Sequence, residues 1–219
     1  MGTRIHGIGA LGQSIWCDSI SRSLIDSGRL GRLIDDGVVG MTSNPTIFEK
    51  AISRSDDYDD AIQSLISDGQ DAIQVYETLA VTDVGDAADL LRPVFDRTRG
   101  LDGYVSIEVD PRLANDTEGT VAEARRLHKR LNRPNILIKV PATEAGIPAV
   151  EALIAEGINV NVTLIFSLAM YAKVMEAYVL GVERLASSGG DVTRAASVAS
   201  FFISRVDTVG DKQLQAKID

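Results

Sequence analysis

Cysteine is almost missing from this chain. Of 219 residues only Cys17 carries a thiol, which excludes an internal disulfide and leaves no Cys cluster for structural zinc. Positive charge is also short: 22 Lys and Arg stand against 31 Asp and Glu, a formal net charge of −9. That balance argues against a broad electrostatic footprint for nucleic acid, while leaving room for a local cationic pocket that takes one phosphate. No apolar run reaches the ~20 residues a membrane helix needs. The amino-terminal stretch MGTRIHGIGALGQ lacks the basic start and apolar core of a secretory signal. A cytoplasmic protein without membrane or nucleic-acid partners is expected. No linker rich in Pro, Gly or Ser interrupts the chain, and 45% hydrophobic content allows one large domain over 1–219.

Short β-branched runs alternate with longer segments of helical period, the pattern of βα units around a parallel sheet. After a flexible leader over 1–13, strands are expected at 14–19, 38–42, 104–109, 135–140, 158–164 and 196–202. Gly37 should end the first helical stretch, since glycine accepts the left-handed geometry beyond a helix terminus. From 55 to 99 no strand pattern occurs, and this region reads as a helical insertion between the second and third strands. Ser55 has the character of an N-cap there, with Asp56, Asp57, Asp59 and Asp60 at the positive end of a helix dipole. The insertion's apolar stripe is expected through Ile73, Tyr76, Leu79 and Ala80, then Leu90, Leu91, Val94 and Phe95.

The strands have polar faces. In 158–164, Val160, Val162 and Leu164 alternate with Asn159, Asn161 and Thr163, so the two sets point to opposite sides. In a βα barrel the apolar set would meet the helices and the polar set the interior. Applying the same parity to every strand puts Asp18, Glu108, Lys139, Asn161, Thr163 and Ser200 inside together, mostly near the carboxyl ends of their strands. In such barrels that end carries the chemistry. An inward lysine in the apolar run Ile136–Pro141 has two readings. Burial favours the neutral amine, the form that attacks a carbonyl to make a Schiff base. Alternatively, Lys139 forms a structural ion pair with Glu108 or Asp18.

Six segments in order and spacing now resemble a known family. They are Trp16-Cys17-Asp18-Ser19-Ile20, Thr42-Ser43-Asn44-Pro45-Thr46, Glu108-Val109-Asp110-Pro111-Arg112, Lys139-Val140-Pro141-Ala142-Thr143, Asn161 through Ser167, and Ser200 through Arg205. Together they resemble transaldolases, in the long form of that family. The resemblance implies a (β/α)8 TIM barrel with about six of its eight units in this chain. It further implies that Lys139 attacks the ketose carbonyl and that Asp18 serves as acid and base at carbon–carbon cleavage. Glu108, with Thr163 and a water, would shuttle protons during imine formation. Asn44 and Asn161 would hold hydroxyls of the dihydroxyacetone unit, Ser200 would lie nearby, and Arg205 would clamp a phosphate.

Sugar phosphates are the implied partners, and the implied chemistry uses neither metal nor organic cofactor. The family pattern includes two further strands and a second phosphate-binding arginine. A carboxy-terminally shortened chain is therefore expected, one able to self-associate through open strand edges. Two other readings stay open, a fructose-6-phosphate aldolase-like enzyme and an inactive sugar-phosphate-binding fragment. Gly7, Gly9 and Gly12 match a dinucleotide fingerprint, but they precede a strand where the motif requires a strand before it. His128, among Arg125, Arg126, Lys129 and Arg130, reads as part of a solvated basic helix end.

Overall fold

The computed structural model describes residues 2–218. In chain order the elements are α1 (Arg4–Gly9), β1 (Trp16–Cys17), α2 (Arg22–Asp26), α3 (Arg29–Asp35), β2 (Gly40–Met41) and α4 (Pro45–Ser53). A helical segment follows, with a 3-10 turn (Asp56–Tyr58), α5 (Asp59–Ser67) and α6 (Ala72–Thr98). Then come β3 (Val105–Glu108), α7 (Thr117–Leu131), β4 (Ile136–Pro141), α8 (Gly146–Ala155), β5 (Val160–Ile165), α9 (Leu168–Ser187), β6 (Ser197–Phe201) and α10 (Ile203–Ile218). The six strands form one sheet in the order β1-β2-β3-β4-β5-β6. Sequential strands with helices between them are the βα units of which (β/α)8 barrels are built. No helix among the described residues is long and apolar enough to cross a membrane.

Contacts group the described residues into two compact units. The first runs to Glu108 and resumes over Arg126–Ile138; the second comprises Val109–Arg125 and the chain from Lys139 onward.

In the first unit β1 pairs in parallel with β2, Trp16 opposite Gly40 and Cys17 opposite Met41, and Met41 of β2 pairs with Val105 of β3. Gly40 is dictated by this pairing, because a Cβ there would lie 2.3 Å from the Trp16 ring. The strands are shorter than the expected 14–19 and 38–42. The leader is not featureless: Thr3 caps α1, and its hydroxyl donates to the Asp36 carbonyl. The fingerprint glycines Gly7 and Gly9 lie in α1 itself and Gly12 just beyond it, all before β1. Gly28, at φ 69°, splits the first helical stretch into α2 and α3, and Gly37 follows α3 at φ 112°. Residues 56–98 are helical apart from short turns, and Ser55 accepts from the Asp57 amide at 3.1 Å. The buried stripe of α6 runs through Val75, Leu79, Ala80, Val84, Ala87, Ala88, Leu91 and Val94. Ile73 and Leu90 fall outside it, at 58% and 40% exposure. A three- or four-residue step continued from Val75 explains the difference, since it passes Leu79 but misses Ile73.

In the second unit α8 and α9 pack closely enough that a Cβ on Gly181 would come within 2.7 Å of the Ile154 Cβ. β5 pairs in parallel with β6, with Val160, Asn161 and Val162 opposite Ser197, Val198 and Ala199. The alternation expected over 158–164 holds through Thr163 and fails at Leu164. That residue is 40% exposed with φ 62°, at a register shift, while Ile165 is fully buried. The extra residue is a bulge, which alternation alone does not reveal.

Candidate active site

In the first unit the strand ends carry three of the expected site residues. Asp18 is the first residue past β1 and is exposed. Glu108 is the last residue of β3 and is half-buried. Asn44 caps α4, its side-chain oxygen accepting from the Ile47 amide at 2.9 Å. An extended backbone at Asn44 followed by Pro45 at the helix start makes this a strong N-cap. The cap occupies the amide oxygen; the amide nitrogen of such a side chain can still donate. Beside it Ser43, 1% exposed, donates to the Ser106 carbonyl at 2.7 Å.

Residue chemistry alone does not single out Thr42. Its hydroxyl is buried and makes no hydrogen bond among the described residues. Buried hydroxyls are almost always matched, so an unmatched one beside a candidate site marks capacity for a ligand or water. Nothing in the sequence pattern separates Thr42 from other strand-end threonines, because partner count is a tertiary property.

In the second unit Lys139 is 4% exposed on a strand whose six residues are all buried. Its carbonyl accepts from the Val109 amide at 3.1 Å, the residue after Glu108. Asn161 and Thr163, at 2% and 1% exposure, follow on β5. Thr163 is pinned through its carbonyl, which accepts from the Ala142 amide at 2.8 Å. Ser200 on β6 donates to the Asn161 side-chain oxygen at 2.8 Å, so the structure brings these two expected binding residues together. Arg205 is exposed in the first turn of α10, with its guanidinium carbon 4.5 Å from the centre of the Phe202 ring. That distance is a cation–π contact, within the ~6 Å over which an aromatic face attracts a guanidinium.

Residues 15–219 match the family model described as Transaldolase/Fructose-6-phosphate aldolase. The chain belongs to this family. Among its curated relatives, the transaldolase of Acidothermus cellulolyticus is 54% identical over 209 residues, covering 95% of this chain and 56% of the relative. Transaldolase 2 of a Nostoc species is 50% identical over 208 residues, covering 94% and 55%. The transaldolase of Saccharopolyspora erythraea is 49% identical over 215 residues, covering 98% and 58%. The chain thus spans little more than half the length of the curated relatives it matches.

Several other charged groups are occupied within the transaldolase-family fold. Of the basic residues around His128, Arg125 pairs with Glu156, while Arg126 and Arg130 converge on Glu77. Arg133 likewise forks onto Asp89 at 2.7 Å. His128 is half-buried, and that burial holds its imidazole below the ordinary value. Cys17 is partly buried, which pushes its thiol up and away from the reactive thiolate.

Proposed function

We propose that this chain carries out the transaldolase reaction. In it a dihydroxyacetone unit passes from sedoheptulose 7-phosphate to glyceraldehyde 3-phosphate, as in the non-oxidative pentose phosphate pathway. Family membership supports the reaction class. The observation that carries the mechanism is Lys139, an amine almost fully removed from water on an otherwise apolar strand. A primary amine at that position is the group that can add to a ketose carbonyl to form an imine.

Lys139 Nζ adds to the ketose carbonyl, and the carbinolamine loses water to give a protonated imine. Glu108 and Thr163 move the protons of that dehydration. Asp18 takes the proton of the C4 hydroxyl as the C3–C4 bond breaks. Erythrose 4-phosphate leaves, and the bonding electron pair is held in the enamine. The enamine carbon then attacks the carbonyl of glyceraldehyde 3-phosphate, Asp18 returns the proton, and hydrolysis releases fructose 6-phosphate. Asn44, Asn161 and Ser200 bind hydroxyls of the three-carbon unit, and Arg205 binds phosphate. The balance closes without a redox partner.

The test is borohydride reduction in the presence of fructose 6-phosphate, followed by peptide mass mapping. A reduced adduct on Lys139, absent in Lys139→Ala, is the expected result. An adduct on another lysine, or none, rejects the assignment. The family description also names an aldolase, which would release free dihydroxyacetone. Product analysis with and without an aldehyde acceptor separates the two.

A further inference from the structure

The β5–β6 pair does something at its carboxyl end that its sequence pattern conceals. Val162 stands opposite Ala199, but Ile165 stands opposite Phe201. Thr163 and Leu164 therefore share the single position opposite Ser200. Leu164 takes up the extra residue at φ 62°, a left-handed conformation that residues with a branched side chain avoid. At 40% exposure, its side chain gains little burial in return.

The consequence falls on the next residue. Ladder partners in a parallel sheet share a face, and a one-residue slip sends a side chain to the opposite face. Strict alternation would put Ile165 on the face of Asn161 and Thr163. The bulge puts it instead on the face of Val162 and Phe201. That is the helix side, because the Phe201 ring packs edge-on against Tyr171 of α9 at 5.9 Å between centres. Ile165 is fully buried there. The opposite face keeps the hydrogen-bonded Asn161–Ser200 pair.

We propose that Leu164 is a positioning residue whose left-handed bulge holds Ile165 off the polar face. The space beyond Thr163 and beside Asn161 and Ser200 is thereby left for the hydroxylated chain of a sugar phosphate. This deepens the ketose reading above and rests on it for the identity of the ligand.

Four variants test it: Leu164→Gly, Leu164→Val, Ile165→Ala and the double variant Leu164→Val/Ile165→Ala. Each is assayed by urea unfolding and by borohydride trapping across a range of fructose 6-phosphate concentrations. Glycine accepts positive φ, so Leu164→Gly should trap within about twofold of the wild type. A β-branched valine resists that conformation. Leu164→Val should raise the half-saturating ketose concentration about tenfold or more while changing the limiting trapping rate less. Adding Ile165→Ala should restore the lower half-saturation, because the intruding side chain is gone; a purely structural role predicts a further loss. In unfolding, Ile165→Ala should lower the midpoint markedly in the wild type and much less beside Leu164→Val. Equal shifts in both backgrounds, or wild-type trapping by Leu164→Val, overturn the proposal. A wild type that traps no ketose instead defeats the ketose reading, and the proposal with it as regards ligand; the unfolding arm still decides the bulge.

Discussion

The helical segment between β2 and β3 and the strand ends of the first unit both bury polar groups, and they treat them differently. In the segment, the Tyr58 hydroxyl donates to Asp83 at 2.8 Å and accepts from the Arg22 amide at 2.8 Å. The Arg22 guanidinium meets the other Asp83 oxygen at 2.9 Å and lies over the Tyr58 ring at 4.6 Å. Tyr58 and Asp83 are 0% and 1% exposed. Burial pushes the Asp83 carboxyl above its ordinary value, although the bonds from Tyr58 and Arg22 pull it down. At the strand ends, Thr42 buries a hydroxyl that nothing among the described residues matches. A network that closes on itself is scaffolding, and a buried group with spare bonding capacity is a place for a ligand. Substitutions should therefore separate, the first kind moving stability and the second moving chemistry.

The largest effects should come from the carboxylates at the strand ends. Asp18→Ala is expected to form the imine at near-normal rate and accumulate it, because only cleavage is lost. Glu108→Ala should slow imine formation itself. Each loss should be about 10²–10⁴-fold in the affected step. Rapid-quench borohydride trapping measures both, and indistinguishable trapping rates would abolish the division of labour.

Asp83→Ala sharpens the contrast from the other side. It leaves a largely buried guanidinium and a buried phenol without their shared partner, at a cost of about 3–5 kcal/mol. Urea unfolding should show that loss, while trapping per folded molecule stays near wild type. Trapping that fell in proportion with stability restored by osmolyte would place the network in the chemistry.

A smaller effect with opposite signs is expected at Thr42. Valine has nearly the same shape and removes the unmatched hydroxyl, so Thr42→Val should leave stability unchanged or raise it by about 1 kcal/mol. The same change should weaken ketose binding, read as a higher half-saturating concentration. A destabilised variant with unaltered binding would mean that the hydroxyl has a structural partner.

The smallest effect concerns acid. Hydrogen bonds from Arg126, reinforced by Arg130, hold the Glu77 carboxyl below its ordinary value of 4.5. A depressed carboxylate contributes stability above the unfolded-state value, and that contribution disappears as pH falls through the folded-state value. Glu77→Gln should therefore cost about 1 kcal/mol or less at pH 7 and nothing well below the depressed value. Unfolding curves of variant and wild type should converge on acidification. A constant gap across that range would mean that the loss is packing, not charge.

Much of this arrangement is legible in the amino-acid sequence. Period and turn residues located the six strands and the helical run 56–98, and parity put Lys139, Asn161 and Ser200 on polar faces. The Asn161–Ser200 hydrogen bond puts the last two on one face. Strand ends came out shorter or shifted at β1, β2 and β5, since a strand's limits depend on what it pairs with. In α6 the expected Leu79, Ala80, Leu91 and Val94 are buried, but Val75 takes the place of Ile73, which is as apolar and differs only in packing.

What the sequence by itself determined is local: where β-branched runs give way to helical period, where Ser55 caps a helical run, and that one lysine sits in an apolar strand. Each follows from backbone geometry and side-chain chemistry within a few residues. Tertiary structure alone decided the rest. Arg22, Tyr58 and Asp83 meet across up to 61 positions of chain, the basic side chains near His128 find their acids, and Leu164 becomes a bulge only because β6 supplies one residue where β5 supplies two. Register, partner and unmatched hydroxyl are relations between distant segments, and no local pattern encodes a relation until the chain has packed.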